Sequence, residues 1–306
     1  MKAVVFERYG PPEVLVLKDV PKPFPGDGEV LIQIKATTVT AGDWRMRTPN
    51  PQAARLYNGL FRPRKVQVLG FEVAGVVEEL GNNVESFKVG DEVYAYTGFG
   101  FGGYAEYICL PEDGDEKIGL VAFKPKNLSF EEAAAVPTGA LAALNILKKG
   151  QISRRQKVLI IGASGSVGTF AIQIARHFGA EVDGVSSSRN IELVKSLGAD
   201  KVYDYAKEDF TMADNKYDLI FDAAGKLISG ITKSKVSQVL KPGGSFVSVE
   251  MNRKDRVEDL DQLRVLFEDG QITPVIDRSF PLEQIVEAHH YVEGGLKHGN
   301  VVVSIS

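Results

Sequence analysis

Strand-like and helix-like stretches alternate from about residue 129 onward, and this alternation restricts the fold more than any other feature. Lys157–Gly162 is a short apolar run of the buried-strand type, and Val167–Phe178 follows with helical period. Its apolar residues Val167, Phe170, Ala171, Ile174, Ala175 and Phe178 form one continuous face. The spacing then predicts strands over Glu181–Ser186, Lys201–Tyr205, Tyr217–Asp222 and Ser245–Glu250. Helices are predicted over Asn190–Leu197 and Ile231–Leu240, the latter closed by Lys241-Pro-Gly-Gly. Short connections between such elements leave one economical solution, a parallel sheet with helices packed on it. The alternation begins near Ser129-Phe-Glu-Glu, which has the form of a helix start with carboxylates in its first turn.

The first third is different. Strand-like runs recur at Ala3–Phe6, Val14–Leu17, Val30–Ala36, Glu72–Leu80, Glu92–Tyr96 and Ala105–Leu110, separated by Gly, Pro, Asn and Asp. They predict a folded-over antiparallel sheet or partial barrel. Met46–Lys65, with Pro49, Pro51 and Pro63, reads as a long irregular excursion. After Pro274 only a helix (Leu282–Val292) and a strand (Asn300–Ile305) remain, too little to fold alone. The prediction is therefore two domains in 306 residues, one discontinuous (1–125 with 273–306) and one inserted (126–272).

Composition removes several classes. A net charge of −4 gives no general attraction to nucleic acid or anionic membrane. The single cysteine, Cys109, cannot form an intramolecular disulfide or a Cys-rich zinc site. No run approaches the ~18 apolar residues of a membrane span, so the expected setting is the cytosol.

The segment Ile161-Gly162-Ala163-Ser164-Gly165-Ser166-Val167-Gly168 lies between the first strand and first helix of the alternating region. Glycines there allow a tight turn and close approach of backbone to a pyrophosphate, and a helix N-terminus favours the charge. Dinucleotide binding by Ala163, Ser164, Gly165, Ser166 and Val167 is expected, although Ala163 replaces the first glycine of the usual spelling. At the end of the second strand stands Ser186-Ser187-Ser188-Arg189, without the carboxylate that binds the ribose 2′-OH in NAD sites. Ser186, Ser187 and Arg189 suit a 2′-phosphate, which favours NADPH over NADH; a polar strand-to-helix loop is the plainer reading.

Further motifs cover nearly the whole chain: Gly70-Phe-Glu-Val-Ala-Gly-Val-Val-Glu-Glu-Leu-Gly81, Phe87-Lys-Val-Gly-Asp-Glu-Val93, Gly103-Tyr-Ala-Glu-Tyr107, Leu197-Gly-Ala-Asp200, Leu240-Lys-Pro-Gly-Gly244 and Phe280-Pro-Leu-Glu283. In these the chain resembles the medium-chain dehydrogenase/reductases, in the zinc-free quinone oxidoreductase branch. The resemblance implies an α/β protein with a GroES-like β domain built from both chain ends, a Rossmann domain inserted, and an active site in the cleft. Where zinc-dependent members carry Cys and His ligands, this chain has Thr40 and Phe71. Neither is a normal zinc ligand, and the four-cysteine lobe is missing, so no metal is expected. The four histidines, His177, His289, His290 and His298, read as surface or capping residues.

Without a Lewis acid, the resemblance implies hydride transfer from NADPH to an acceptor that spreads charge, a quinone or an α,β-unsaturated carbonyl. An acyl-chain enoyl reductase and a non-catalytic NADPH-binding protein are the rival readings. The resemblance places Thr40, Asp43, Trp44 and Tyr57 around the reacting centre. Trp44 would wall the acceptor pocket or pack the cleft base, and Asp43 would touch substrate or pair with Arg47. Tyr57 is an available phenol for proton donation, with ordinary packing as its alternative. Thr138 would meet the nicotinamide carboxamide, Tyr205 the 2′-phosphate, and Ala223, Val247 and Ser248 the cofactor through backbone groups. Asn300, where relatives usually carry Lys, would reach the nicotinamide end. The short stretch between Glu250 and Asp259 omits the edge strand through which relatives dimerise, leaving monomer or homodimer open.

Overall fold

The computed structural model describes residues 1–50, 52–212, 214 and 216–306, so Pro51 of the irregular excursion lies outside the described residues. In chain order the elements begin with β1 (Lys2–Val5), β2 (Val16–Asp19), β3 (Glu29–Thr38), α1 (Ala41–Arg47) and α2 (Ala54–Asn58). They continue with β4 (Glu72–Leu80), β5 (Glu92–Tyr96), β6 (Tyr107–Pro111), β7 (Leu120–Phe123), α3 (Phe130–Ala134) and α4 (Pro137–Lys149). Next come β8 (Lys157–Ile161), α5 (Ser166–His177), β9 (Glu181–Ser186), α6 (Ile191–Ser196), β10 (Lys201–Asp204) and β11 (Tyr217–Asp222). The chain ends with α7 (Lys226–Ser229), α8 (Lys233–Val236), β12 (Leu240–Ser248), α9 (Val257–Glu268), β13 (Ile276–Pro281), α10 (Ile285–Glu293) and β14 (Asn300–Ser304).

Two units result. The first comprises residues 1–138, 256–268 and 276–306, and the second 139–255 and 269–275. The expected boundaries at 126 and 272 thus move. Residues 126–138 stay with the first unit, and α9 joins it, because Tyr94 donates to the Leu260 carbonyl (2.7 Å) and Asn127 to the Phe267 carbonyl (2.7 Å). Thr273, in turn, is tied to the second unit by Gln173, whose side chain pairs with its backbone N–H and C=O (both 2.9 Å).

In the first unit a seven-stranded sheet runs β13-β14-β3-β4-β5-β7, with β6 also paired to β3. Only β13 and β14 are parallel to each other; the other pairings are antiparallel. Alternation along β3 sends Val30, Ile32 and Ile34 into a core shared with Val73, Val93, Val301 and Val303. α10 closes that core with Ile285, Ala288 and Val292. The C-terminal strand does rejoin the N-terminal sheet, pairing with β3.

The second unit holds a parallel sheet of order β10-β9-β8-β11-β12. Taking β8 as the first strand, this is the 3-2-1-4-5 part of the doubly wound order, with no sixth strand among the described residues. The strand order reverses between β8 and β11, and in such sheets ligands bind outside the carboxyl ends of the strands at that switch point. Leu159, Ile161, Val185 and Ile220 form one buried face of the sheet.

Local predictions fail where polar spacing imitates another element. Ile231–Leu240 contains only the four-residue α8, and β12 begins at Leu240, absorbing the Lys-Pro-Gly-Gly turn. Val14–Leu17 splits between a 3-10 turn at Pro12–Val14 and β2. In Met46–Lys65 the end of α1 and all of α2 are helical, and the loop after α2 is closed by the buried Asn58. Its carboxamide accepts from the Lys65 (3.1 Å) and Val66 (2.7 Å) amides and donates to the Val66 carbonyl (3.0 Å).

Candidate active site

The first unit carries a buried polar cluster where α1 leaves β3. Thr40 is in extended conformation and caps α1. Its hydroxyl lies 2.6 Å from Asp43 Oδ2 and accepts from the Asp43 amide at 3.3 Å, while its own amide donates to Oδ2 at 2.8 Å. This reciprocal capping box follows from Thr followed three residues later by an acid. The other carboxyl oxygen of Asp43 accepts from the Gly70 amide at 2.7 Å. Asp43 is fully buried, and burial raises its pKa above the ordinary carboxyl value against the opposing hydrogen bonds from Thr40.

Glu72, at the start of β4, is a second buried carboxyl. Thr38 donates to its Oε1, and the Thr138 amide at the start of α4 donates to Oε2 at 2.6 Å. Burial outweighs these bonds and pushes Glu72 up to about 7. Half-buried Lys297, whose Nζ donates to the Gly299 carbonyl at 2.7 Å, feels the charges of Glu72 and Asp277. Burial brings this ammonium down to about 8.

Several predicted roles change. Asp43 does not pair with Arg47; buried Arg47 donates to the Gly10 carbonyl and to Glu293 instead. Trp44 is half-buried against the apolar core of the first unit, with the Arg45 guanidinium 5.5 Å from its ring centroid. Tyr57 is partly exposed, and its hydroxyl donates to the Phe99 carbonyl (2.8 Å) rather than into the Asp43–Glu72 cluster. Asn300 is buried as the first residue of β14, opposite Ile276. The surface reading of the histidines fails for His289, which is completely buried and lies 3.1 Å from the Tyr104 hydroxyl through Nε2. His290 is exposed and meets Glu13 at 2.7 Å, which fits the surface reading.

Phe71, at the second of the two positions where the resemblance leads one to expect a zinc ligand in zinc-dependent members, is an apolar packing residue. Its ring centroid lies 4.0 Å from that of Phe101, and it stacks with Tyr96 at 6.0 Å. Gly42 makes room for it, since a Cβ there would fall 2.0 Å from the Phe71 ring. Among the described residues no group of three or more His, Cys, Asp or Glu side chains is placed to hold a metal ion.

The second unit offers a different surface at the carboxyl end of β8. The turn reaches α5 through Gly165, which caps the helix without a side-chain hydrogen bond, so the first helical amides have no capping side chain. Gly165 has an ordinary φ of −79°, and a Cβ would meet only the Gly162 carbonyl at 3.4 Å. Neither backbone strain nor a protein neighbour demands glycine there, whereas an approaching phosphate would. Gly168 is the opposite case: its Cβ would lie 2.2 Å from the Gly162 oxygen, so it serves the packing of α5 on the turn. Gly165 with Ser166 and Val167 at the helix start could hold a pyrophosphate.

Ala163 is not a phosphate donor, because its amide is spent on the Val185 carbonyl (3.0 Å) and its side chain is buried. Ser164 accepts from Asn190 Nδ2 at 3.0 Å, a contact the sequence pattern did not signal. Ser186 is buried at the end of β9, its hydroxyl directed to the Ser187 carbonyl (3.2 Å), while the Ser187 carbonyl also accepts from the Asn190 amide. Arg189 is exposed on the short 3-10 turn that follows. Tyr205 is exposed beside Ser186, whose carbonyl accepts its amide at 3.2 Å. Asp204, next to it, accepts from Ser188 and is paired with Lys207 at 3.2 Å. Hydrogen bonding from Ser188 leads the causes that hold its carboxyl below the ordinary value. Ala223 ends β11 with its amide on the Ile161 carbonyl (2.9 Å); Val247 and Ser248 lie at the end of β12, opposite Phe221 and Asp222.

The chain is similar to known proteins over nearly its whole length. The family model for an alcohol dehydrogenase GroES-like domain matches residues 26–119, and that for a zinc-binding dehydrogenase matches residues 166–283. The chain is 36% identical over 324 residues to the 2-methylene-furan-3-one reductase of Solanum lycopersicum, covering 99% of this chain and 79% of the relative. It is 33% identical over 327 residues to the chloroplastic NADPH-dependent alkenal/one oxidoreductase of Arabidopsis thaliana, with the same coverage of 99% and 79%. The solved quinone oxidoreductase from Coxiella burnetii superposes with a TM-score of 0.86 at 30% identity, covering 100% of this chain and 99% of that one.

Proposed function

Because the chain belongs to the medium-chain dehydrogenase/reductase family, in its quinone oxidoreductase branch, we propose that it is an NADPH-dependent, zinc-independent oxidoreductase of α,β-unsaturated carbonyl compounds and quinones. The observation that carries this reading is the α5 N-terminus, where an uncapped helix start and an unoccupied Cβ position at Gly165 suit a pyrophosphate. The names of the relatives, an enone reductase and an NADPH-dependent alkenal/one oxidoreductase, support the acceptor class and the cofactor.

NADPH supplies the hydride when bound. The residues of the second unit bind it: Ser166 and Val167 at the α5 start hold the pyrophosphate, and the loop Ser187–Arg189 with Tyr205 receives the 2′-phosphate. The absence of a carboxylate from residues 186–189 supports NADPH over NADH, and the nearby Asp204 already serves Ser188 and Lys207. Zinc-independence is supported by the donor chemistry, since Phe71 offers no ligand atom and the Thr40 hydroxyl is engaged with Asp43. The first unit instead contributes groups that hold protons near neutrality, Glu72 at about 7 and Lys297 at about 8.

The test is titration with NADPH and NADH, followed in the same cuvette by 9,10-phenanthrenequinone and a small enone. Preference for NADPH and its oxidation by either acceptor support the reading. NADPH binding without oxidation would leave a binding protein, and preference for NADH would reverse the assignment of Ser186–Arg189. Of the helices among the described residues, none is long and apolar enough to cross a membrane, and a cytosolic location is part of the proposal, tested by fractionation.

A further inference from the structure

The net charge of −4 is unevenly distributed along the chain. Residues 44–71 carry Arg45, Arg47, Arg55, Arg62, Arg64 and Lys65 and no Asp or Glu. Arg47 is buried and occupied with Glu293. Arg62, Arg64 and Lys65 are exposed and Arg55 is half-buried. Among the described residues none of these four is within ion-pairing distance of a carboxylate. Glu7 feels the Arg62 charge but is itself paired with Lys18 at 2.8 Å. In the same segment Phe61 is 91% exposed, Leu56 79% and Leu60 56%.

The fold holds these apolar side chains outward. Gly59 turns the chain with a φ of +118°, and a Cβ there would lie 2.3 Å from the Arg62 carbonyl oxygen, so only glycine permits the turn. The Gly59 amide donates to the Arg55 carbonyl and the Arg64 amide to the Asn58 carbonyl, both at 2.8 Å. The Gly59 carbonyl accepts from the Tyr9 hydroxyl at 2.7 Å. Arg55 donates to the Leu60 carbonyl at 2.8 Å, and Lys65 Nζ stands 3.9 Å from the Tyr57 ring centroid. Buried Asn58 and Pro63 anchor the two sides, leaving Leu60 and Phe61 at the tip. One exposed apolar residue is ordinary. Three between residues 56 and 61, fixed among unpaired cations, mark a contact surface.

We propose that residues 55–65 dock the protein reversibly on an anionic lipid bilayer. Leu56, Leu60 and Phe61 enter the boundary between headgroups and acyl chains, while Arg55, Arg62, Arg64 and Lys65 meet the lipid phosphates. Long cationic side chains suit this position, because their methylene stems lie along apolar surface while the charge stays in water. The inference goes beyond the reductase reading and does not depend on it. Salt releases a contact of this kind, so it is compatible with the cytosolic location proposed above.

Size and charge favour a bilayer over a protein partner. Three apolar side chains fall short of the ~800 Å² that each side of a stable protein interface buries. A membrane interface needs no complementary pocket and gains from each side chain inserted. The positive charge of this segment is opposite in sign to that of the rest of the chain. Anionic lipid therefore attracts this face and repels the others, which fixes the side presented to the membrane.

The test is sedimentation of the protein, with and without NADPH, on large unilamellar vesicles. These contain phosphatidylcholine alone or with about one-third phosphatidylglycerol. Binding should be at least ~10-fold stronger to the anionic vesicles at about 0.1 M salt and should be lost at about 1 M. Phe61→Ser should weaken it at least ~10-fold, and the double variant Arg62→Gln, Arg64→Gln by a similar factor. Both should keep the parent's thermal midpoint, since the replaced side chains are exposed. If Phe61→Ser does not fold, Phe61→Trp serves. Its added emission should move to shorter wavelength on anionic vesicles and be quenched by brominated lipid, beyond any change of Trp44 in the parent. Absence of binding, equal binding to the two vesicle types, full binding by Phe61→Ser or unquenched emission from Phe61→Trp would each overturn the proposal. A dimer seen by light scattering that Phe61→Ser dissociates, with vesicles left unbound, would overturn it in favour of a second copy of this chain.

Discussion

The turn at Gly162–Gly168 and the cluster around Asp43 and Glu72 manage polar chemistry by opposite means. The turn works with backbone: an uncapped helix start, a glycine left open and a glycine packed shut. No ionisable side chain lies within residues 162–168. The cluster works with ionisable side chains withdrawn from water, whose hydrogen bonds only partly offset burial. A backbone site costs the fold little and is insensitive to pH. A buried acid couples protonation to stability, because desolvation favours the neutral form.

The contrast between the two glycines of the turn can be broken first, and with the largest effect. Gly168→Val drives a side chain into the Gly162 carbonyl and should cost about 3 kcal/mol of stability or prevent folding. Denaturant unfolding measures it; an unchanged midpoint would show the turn to be looser than described.

Next is the pH dependence of the cluster. Glu72 rises from 4.5 to about 7 on folding, so the folded state holds the proton more tightly than the unfolded one. Stability from this group is complete below about pH 4.5 and is lost as pH rises through about 7. At 1.36 kcal/mol per pKa unit the loss is on the order of 3 kcal/mol. Glu72→Gln should remove it. The stability difference between variant and parent should therefore shift in the variant's favour between pH 5 and 8, measured by urea unfolding. A constant difference would mean that Glu72 keeps an ordinary carboxyl pKa.

Gly165→Val should behave unlike its neighbour: stability close to the parent, but NADPH affinity reduced roughly 10- to 100-fold. The side chain displaces phosphate from amides worth about 1.5–3 kcal/mol in charge-assisted hydrogen bonds. Fluorescence titration decides this, and unaltered affinity would move the pyrophosphate elsewhere. The smallest change is Asn190→Ala, which frees Ser164 and should cost about 1 kcal/mol of stability with a modest loss of NADPH affinity. If affinity falls as far as in Gly165→Val, Asn190 touches the cofactor directly.

These two regions were not equally legible in the sequence. The turn was, because a glycine pattern between an apolar strand and an amphipathic helix is local, and the parallel order follows from alternation. Its error was also local: Ala163 looked like part of the cradle, but its amide completes a bond to β9. The cluster joins residues far apart in the chain, Asp43 to Gly70, Glu72 to Thr138 and Tyr104 to His289. No spacing rule links them, so His289 looked like any helix histidine. The Thr40–Asp43 capping box was passed over in the sequence, and its burial gives it chemistry. For Tyr57 the contact with Phe99 fits the packing alternative, and residue type alone could not say which carbonyl its phenol would find.

The pairing of β14 with β3 has a consequence for synthesis. β3 is complete by residue 38, yet its partner Val302–Ser304 is made more than 260 residues later. On the ribosome the β-rich unit therefore waits with the Ala36–Thr38 end of a central strand unpaired on one edge, while the second unit, apart from its 269–275 segment, is already available to fold. The first unit closes only after translation has passed residue 304, so nascent chains stalled or truncated in α10 should be bound by chaperones although the nucleotide-binding unit within them is already native.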